Sequence, residues 1–341
     1  MFYQCPDCQS ELTDLKGEAL SCSKCSEAYP IVNKAPNFTK NAKLYIHDRT
    51  HEDLLSVLVK KANDLGWRQA LETTFLDRQG TVEYNTSARR TSFLGLLPIN
   101  DQSTVLDYGC GLGAVTGRLA QVAGFVCAID RHPLQAQFVR CRADQEGFAN
   151  VDVAAGGNLC SLPYKRSSFD LAILSAVIEW CWIDGAFQSP EDGQIKLLEE
   201  IFRVLKPGGL IYLATKNKYA LRYLMGSPDE HSNNMKFSFL FPWMIRNWLS
   251  QRLYAKRVPG CLYSYGGYKR LLRQSGFTDI RFYAEYPSYR APECIIPLEG
   301  PFAKRTLIYS NLKMRTKILG LVPDYIRKRI VYSYGIIAKK Q

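Results

Sequence analysis

Val105-Leu106-Asp107-Tyr108-Gly109-Cys110-Gly111-Leu112-Gly113 decides the fold. It reads as an apolar strand that ends in a carboxylate and a glycine-rich turn. A helix-like segment follows from Ala114 to Ala123. A second apolar strand, Phe125-Val126-Cys127-Ala128-Ile129, then ends in Asp130. Five glycines lie between the two acids. Strand, glycine turn, helix and second strand make the first half of a nucleotide-binding βαβ unit. In such a unit the bare backbone of the turn lets a ligand approach the helix N-terminus closely.

Outward from this run, residues 101–214 alternate strand-like and helix-like segments, which predicts a parallel α/β sheet. The predicted strands cover 104–107, 125–129, 151–154, 169–174 and 209–214. Upstream, residues 41–100 carry helical periodicity at Leu54, Leu55, Leu58, Val59 and Leu65. Downstream, residues 215–264 form a long insertion rich in aromatic and basic residues. Residues 266–287 return to helix, a stop at Gly276, then strand. Residues 291–341 read as a basic, amphipathic tail. There is no internal repeat and no low-complexity segment. A chain of 341 residues suggests roughly two domains.

The glycine turn alone fits two cofactor classes. Gly109, Gly111 and Ala114 nearly match a nicotinamide fingerprint, and a plain βα turn has the same look. Asp107 argues against a pyrophosphate, which it would repel, and suits a zwitterionic sulfonium ligand. Asp130, 21 residues past Gly109, can accept both hydroxyls of a ribose. The downstream segments are Gly157-Asn158 to Tyr164, Ser168 to Ser175, and Arg203-Val-Leu-Lys-Pro-Gly-Gly-Leu-Ile-Tyr-Leu-Ala-Thr215.

This ordered set resembles the class I S-adenosylmethionine-dependent methyltransferases of type 11/12, over about residues 84–287. The resemblance implies a Rossmann-like, doubly wound, mostly parallel seven-stranded sheet in residues 101–290, with 215–264 as a cap. It also implies roles. Gly109, Gly111 and Gly113 would line the methionine end and Asp107 would position its amino group. Asp130 would bind the ribose, with Arg131 near the adenine. Asn158 and Leu159 would meet the adenine, although the family commonly has an acid where Asn158 stands. Ser175 would lie beside the methionine moiety, and Tyr84 would close over the cofactor from the lead-in helices.

Cys5-Pro-Asp-Cys8 and Cys22-Ser-Lys-Cys25 are two C-x2-C knuckles. Four thiolates from two knuckles suit one closed tetrahedral zinc site, structural because no position is left for water. With Tyr29-Pro30-Ile31-Val32 and Pro36 the segment resembles the small zinc ribbons beside or fused to some methyltransferases. Asn33-Lys34 stands where an acid-glycine turn is frequent. Residues 1–40 are therefore expected to form a zinc ribbon.

Methyl transfer needs alignment first, and a general base only for a hydroxyl or a charged amine. Glu179 follows the fourth strand, and His231 lies in the insertion; these are the two candidates. Trp180, Trp182, Phe187 and Tyr219 are candidate pocket walls, and Asn217 a candidate rim residue. Each also has an ordinary packing role open to it.

Charge is uneven. Residues 1–214 hold 21 Lys/Arg and 25 Asp/Glu, whereas residues 215–341 hold 23 and 7, a net of −4 against +16. The basic third suits an anionic membrane surface, RNA or a merely solvated face. The acceptor favoured is a small-molecule or lipid/glycan-linked hydroxyl or amine. Ribosomal or transfer RNA, a protein, and a non-catalytic cofactor-binding module are the other readings. The start Met1-Phe2-Tyr3-Gln4-Cys5 shows no secretory pattern, and no apolar run reaches a membrane span. The expected location is cytoplasmic, peripheral to the inner membrane face if the basic third meets lipid.

Overall fold

The computed structural model describes residues 2–39, 49–182, 187–299 and 322–341. The parts of the expected lead-in and tail at 41–48 and 300–321 lie outside the described residues. The chain divides into two units, Met1–Ile173 with Glu200–Leu210, and Leu174–Glu199 with Ile211–Gln341.

The first unit begins with four short antiparallel strands, β1 (Leu12–Leu15), β2 (Ala19–Cys22), β3 (Ala28–Val32) and β4 (Ala35–Pro36). Three helices follow, α1 (Arg49–Leu65), α2 (Trp67–Thr74) and α3 (Gln79–Thr86). They account for the apolar period of the lead-in: Leu55, Leu58, Ala62 and Leu71 are buried with Phe138 and Leu112 in one cluster. Next come β5 (Thr104–Tyr108), α4 (Ala114–Leu119), β6 (Phe125–Asp130), α5 (Pro133–Gln145) and β7 (Val151–Ala155). β5 pairs in parallel with β6, and β6 with β7. These strands are nearly continuous apolar runs because both of their faces are covered. α5 starts where His132 Nδ1 accepts from the Leu134 amide at 3.2 Å, with Pro133 in the first turn.

β8 (Phe169–Ser175), α6 (Pro190–Val204) and β9 (Leu205–Lys216) contribute to both units. In the first unit the strand order is β9-β8-β5-β6-β7.

The second unit continues with α7 (Leu221–Leu224), α8 (Trp243–Tyr254), α9 (Tyr265–Gln274), β10 (Phe277–Tyr286), β11 (Cys294–Pro297), α10 (Asp324–Ile330) and β12 (Ser333–Lys340). Its strand order is β11-β10-β12-β9-β8, and β12 pairs antiparallel with β10. The large sheet thus has eight described strands where seven were expected; the addition is the short edge strand β11. Residues 333–340, read in sequence as part of an amphipathic tail, are a strand inside the sheet. They are buried at all but one position. A strand flanked on both edges and covered on both faces shows no polar alternation, so its Lys-rich end looks like a tail.

Candidate cofactor and acceptor sites

The glycine turn of the first unit is held from several sides. Gly109, Gly111 and Gly113 have φ of 73°, 55° and 76°, the left-handed region where a side chain is strained. The Gly109 and Cys110 amides donate to the Ile129 carbonyl at 2.8 and 3.1 Å, tying the turn to the end of β6. The buried Arg142 guanidinium lies 3.8 Å from the Trp67 ring centroid and donates to the carbonyls of Leu112 and Asn85. One side chain therefore fixes the turn to the lead-in helices.

Both acids are buried at this turn. Asp130 accepts from the Gly111 amide at 2.9 Å and from the His132 amide at 3.0 Å, one bond on each oxygen. Burial raises its pKa despite those amides. Each oxygen keeps acceptor capacity for a further donor. Asp107 accepts from the Thr116 hydroxyl at 2.6 Å. Burial pushes its pKa up to about 6, with the Asp130 charge adding to the rise and Thr116 and Arg90 opposing it.

Tyr84 lies on α3, half-buried, with the Arg90 guanidinium 3.6 Å from its ring centroid. Arg90 itself is buried, and its Nε and Nη1 have no hydrogen-bond partner among the described residues. Arg131 follows Asp130 at the end of β6, half-buried. Asn158 is buried, and Leu159 follows it in a short 3-10 turn. That turn is entered through Gly157 at φ 79°, where an added Cβ would sit 2.8 Å from the Tyr108 ring. The Tyr108 hydroxyl donates to the Gly157 carbonyl at 2.9 Å, so the first and third strand ends are joined. Sequence reading missed Arg90, Thr116 and Arg142, because each acts through contacts that no local motif encodes. Ser175 is buried at the end of β8, in the second unit.

The four cysteines converge. All four Sγ atoms lie within 4.8 Å of one another, and none is in a disulfide. The nearest pairs are Cys5–Cys25 at 3.5 Å, Cys8–Cys22 at 3.4 Å and Cys8–Cys25 at 3.7 Å. A tetrahedron with metal–sulfur bonds of about 2.3 Å has its sulfurs about 3.8 Å apart, so the cluster fits one metal ion.

In the same unit this cysteine module is joined to the α/β layer by backbone and by rings. The Gln4 amide donates to the Pro163 carbonyl, and Phe38 to Ala155 at the end of β7. Phe2 stacks on Phe125 and Phe169, and Tyr3 on Tyr164.

Glu179 and His231, 52 residues apart in sequence, meet in the second unit. His231 Nε2 is 3.9 Å from Glu179 Oε1, and its Nδ1 is 3.0 Å from Asp229 Oδ1. Both candidates are closed off, at 0% and 1% exposure. Burial raises the Glu179 pKa, with His231, Lys216 and Thr215 opposing. Burial also acts upward on Asp229, but hydrogen bonds from His231, Ser232 and Ser238 win and hold it well below the usual carboxylate range. Trp180 packs on the His231 ring at 4.7 Å between centroids. Asp229 was absent from the sequence-level site; its place two residues before His231 was the available signal.

The other aromatic candidates divide. Tyr219 lines a cavity described below, and Trp182 packs edge-on against Trp243. Asn217 is not a rim residue: it is buried, and its amide donates to the carbonyls of Arg329 and Val331.

Residues 106–213 match the family described as methyltransferase domain, and residues 3–33 match the family described as Trm112p-like protein. The match to a methyltransferase domain thus covers the glycine turn, both buried acids and the strands from β5 to most of β9. Among curated proteins the chain is similar to the malonyl-[acyl-carrier protein] O-methyltransferase of Pectobacterium atrosepticum, at 28% identity over 43% of this chain and 53% of the relative. It is also similar to the arsenite methyltransferase of Aquipseudomonas alcaligenes, at 30% identity over 55% of this chain and 47% of that one. The chain thus spans about half the length of these relatives. Among solved structures, it is similar to a Haemonchus contortus phosphoethanolamine N-methyltransferase 2 in complex with S-adenosyl-L-methionine. The identity is 16%, the TM-score 0.48, and the coverage 83% of this chain and 60% of that chain. A chain in the complex of the Haloferax volcanii Trm112 methyltransferase activator with a methyltransferase is similar at 19% identity and a TM-score of 0.43. That match covers 83% of this chain and 96% of that one.

Proposed function

We propose that this protein transfers the methyl group of S-adenosylmethionine to a small acceptor. One observation carries the reading: two buried carboxylates, Asp107 and Asp130, flank a positive-φ glycine turn inside a methyltransferase domain. Asp130 has acceptor capacity for the ribose hydroxyls while its two amide bonds hold it still. Asp107 provides negative charge for the amino group of the methionine moiety. The guanidinium of Arg90, with two nitrogens lacking partners among the described residues, provides a counter-charge for its carboxylate. Gly109, Gly111 and Gly113 give close approach to the sulfonium end. Arg131, Asn158 and Leu159 contribute at the adenine, Ser175 beside the methionine, and Tyr84 as a cover. The bound cofactor supplies an activated methyl group. The protein's task is then to align the acceptor with it and to exclude water.

The test is calorimetric titration with S-adenosylhomocysteine. Asp130→Ala should abolish binding, with a melting curve checking that the variant is folded at the titration temperature. Unchanged affinity would contradict the ribose assignment. Labelled-methyl transfer into fractionated lysate then identifies the acceptor class.

A small or carrier-linked acceptor is supported by the names of the relatives, which include an acyl-carrier O-methyltransferase and an arsenite methyltransferase. RNA as acceptor is disfavoured by where the basic residues go. Lys216, Arg246, Arg327 and Lys340 of the basic third are buried, and Arg270 is paired with Glu191. Zinc is the metal that four cysteine thiolates at this spacing suit best, in a closed structural site. Glu179 lies with His231 and Asp229 in one buried cluster. As a base it would require the acceptor to open a path to it, so Glu179→Gln should lower kcat without changing cofactor affinity.

No described helix is long and apolar enough to cross a membrane. A peripheral membrane role is a second reading, favoured by the side chains of the insertion. Met225, Leu240, Met244, Trp248 and Leu253 are 60–77% exposed. Arg252 and Lys256 lie beside them in sequence, the mixture that suits an anionic lipid interface. Co-sedimentation with phosphatidylglycerol vesicles tests it.

A further inference from the structure

A cavity of about 410 Å³ lies wholly within the second unit. Its size is that of a small-molecule site. Four charged residues line it: Glu191, Asp192, Lys218 and Arg246. The two acids already have their partners. Arg270 holds Glu191 through two bonds of 2.8 and 2.7 Å, and Asp192 accepts from the Ser189 amide and hydroxyl at 3.0 and 2.8 Å. The two cations have no carboxylate partner among the described residues.

Arg246 is 3% exposed. Its Nη1 donates to the Ser232 hydroxyl at 3.2 Å, its Nη2 makes a weak contact with Cys261 Sγ at 3.7 Å, and its Nε has no partner among the described residues. A guanidinium has five N–H donors, so most of this buried one goes unused. Trp243, on the same wall, has a buried indole Nε1–H with no acceptor among the described residues. Lys218 is fixed from both sides: its amide donates to the Tyr263 carbonyl at 3.0 Å, and Asn217 Oδ1 accepts from the next amide at 3.0 Å. Burial and then the nearby Arg246 charge lower the Lys218 pKa. Two like charges and an orphan indole donor around one cavity are costly as they stand. An anion in the cavity would offset the two like charges.

We propose that this cavity binds the anionic head, phosphate or carboxylate, of a small organic molecule whose body packs on Trp243, Tyr219 and Leu262. That this molecule is the methyl acceptor rests on the methyltransferase reading; the anion site itself does not. A guanidinium offers a planar fork for either head group, and the ammonium a point charge. The aromatic walls suit an apolar or aromatic body.

Calorimetry on the full chain tests this with phenyl phosphate, benzoate and benzyl alcohol as probes. Phenyl phosphate or benzoate should bind and benzyl alcohol should not; the tighter of the two anions assigns the head group. Lys218→Gln and Arg246→Gln should each weaken anion binding at least tenfold. S-adenosylhomocysteine affinity, measured alongside, should be unchanged in Lys218→Gln. If Arg246→Gln fails to fold, the half-exposed Lys218→Gln still decides. The proposal is overturned if neither anion binds the parent, if benzyl alcohol binds as well as the anions, or if Lys218→Gln binds the anions as the parent does. Failure of S-adenosylhomocysteine to bind the parent would remove the cofactor reading and leave the anion result standing.

Discussion

Residues 2–39 and residues 221–257 are both additions to an α/β sheet, each within its own unit, and they treat their apolar side chains in opposite ways. In the first, Tyr3, Tyr29 and Phe38 are buried, and Phe2 and Tyr3 stack on rings of the sheet layer. In the second, Leu240 is 65% exposed, Met244 76%, Trp248 60% and Leu253 64%. The cysteine module has spent its apolar surface on the chain itself. The insertion has not, and its Trp243 and Arg246 line the cavity whose two cations lack carboxylate partners among the described residues. From this contrast we infer a supporting role for the first addition and a recognition role for the second. Exposed apolar patches of this kind mark binding surfaces more often than packing defects.

The largest effect is expected from the cysteine cluster. Four thiolates that hold one metal make binding energy into folding energy. Removing the metal with a chelator under reducing conditions, or changing Cys22→Ser, should release β1–β4 and loosen the aromatic seam. The melting temperature by calorimetry should fall by about 10 °C or more. Elemental analysis of the parent should find one zinc per chain. A metal-free parent with the same melting temperature would break the supporting role.

Next comes the seam. Tyr3 is 5% exposed, stacks on Tyr164 and packs at a tilt against Phe38. Tyr3→Ala should cost about 3 kcal/mol in urea unfolding, the usual range for a buried aromatic lost to a cavity. An effect below about 1 kcal/mol would mean that the module is only tethered, and the comparison would fail on that side.

The third prediction concerns the turn. The Asp107 pKa of about 6 stands above its ordinary 3.8 because the carboxylate is buried. Between those values the folded chain holds a proton that the unfolded chain releases. Stability therefore falls as pH rises from about 4 to 6, and the full penalty is present above 6. Asp107→Asn should remove it, gaining about 2 kcal/mol at pH 7.5 and nothing near pH 4. The same substitution should weaken S-adenosylhomocysteine binding at pH 7.5. For the parent, affinity should decline as pH drops below 6, because the amino group of the ligand prefers the ionised carboxylate. A pH-independent affinity would remove Asp107 from the site.

How much of this was legible in sequence depends on how local each feature is. β5, β6 and β8 were readable to within a residue or so because each is an apolar run ended by a turn. The glycine turn with Asp107 and Asp130 was readable because its geometry is set by φ and by strand ends. The C-x2-C knuckles were readable for the same reason. β12 was not, since a fully buried strand has no alternation and its lysines suggested a surface. Arg142 on Leu112 joins segments 30 residues apart, and Arg246 on Ser232 and Cys261 joins segments 14 and 15 apart. A sequence shows their charge and not their burial. Part of the basic excess of the last third serves inside the protein.

The smallest effect on stability is expected where the insertion is most apolar. Trp248 and Met244 project from α8 with most of their area in solvent, so burial contributes little there. Trp248→Ala and Met244→Gln should each change unfolding free energy by less than about 0.5 kcal/mol, the usual result at exposed sites. Set beside Tyr3→Ala, that is a several-fold difference between two aromatic side chains in the two additions. The same pair of substitutions should nonetheless reduce co-sedimentation with phosphatidylglycerol vesicles, if the patch is an interface for lipid. Loss of stability at Trp248 equal to that at Tyr3 would mean that the insertion packs as the cysteine module does, and the difference in role would go with it.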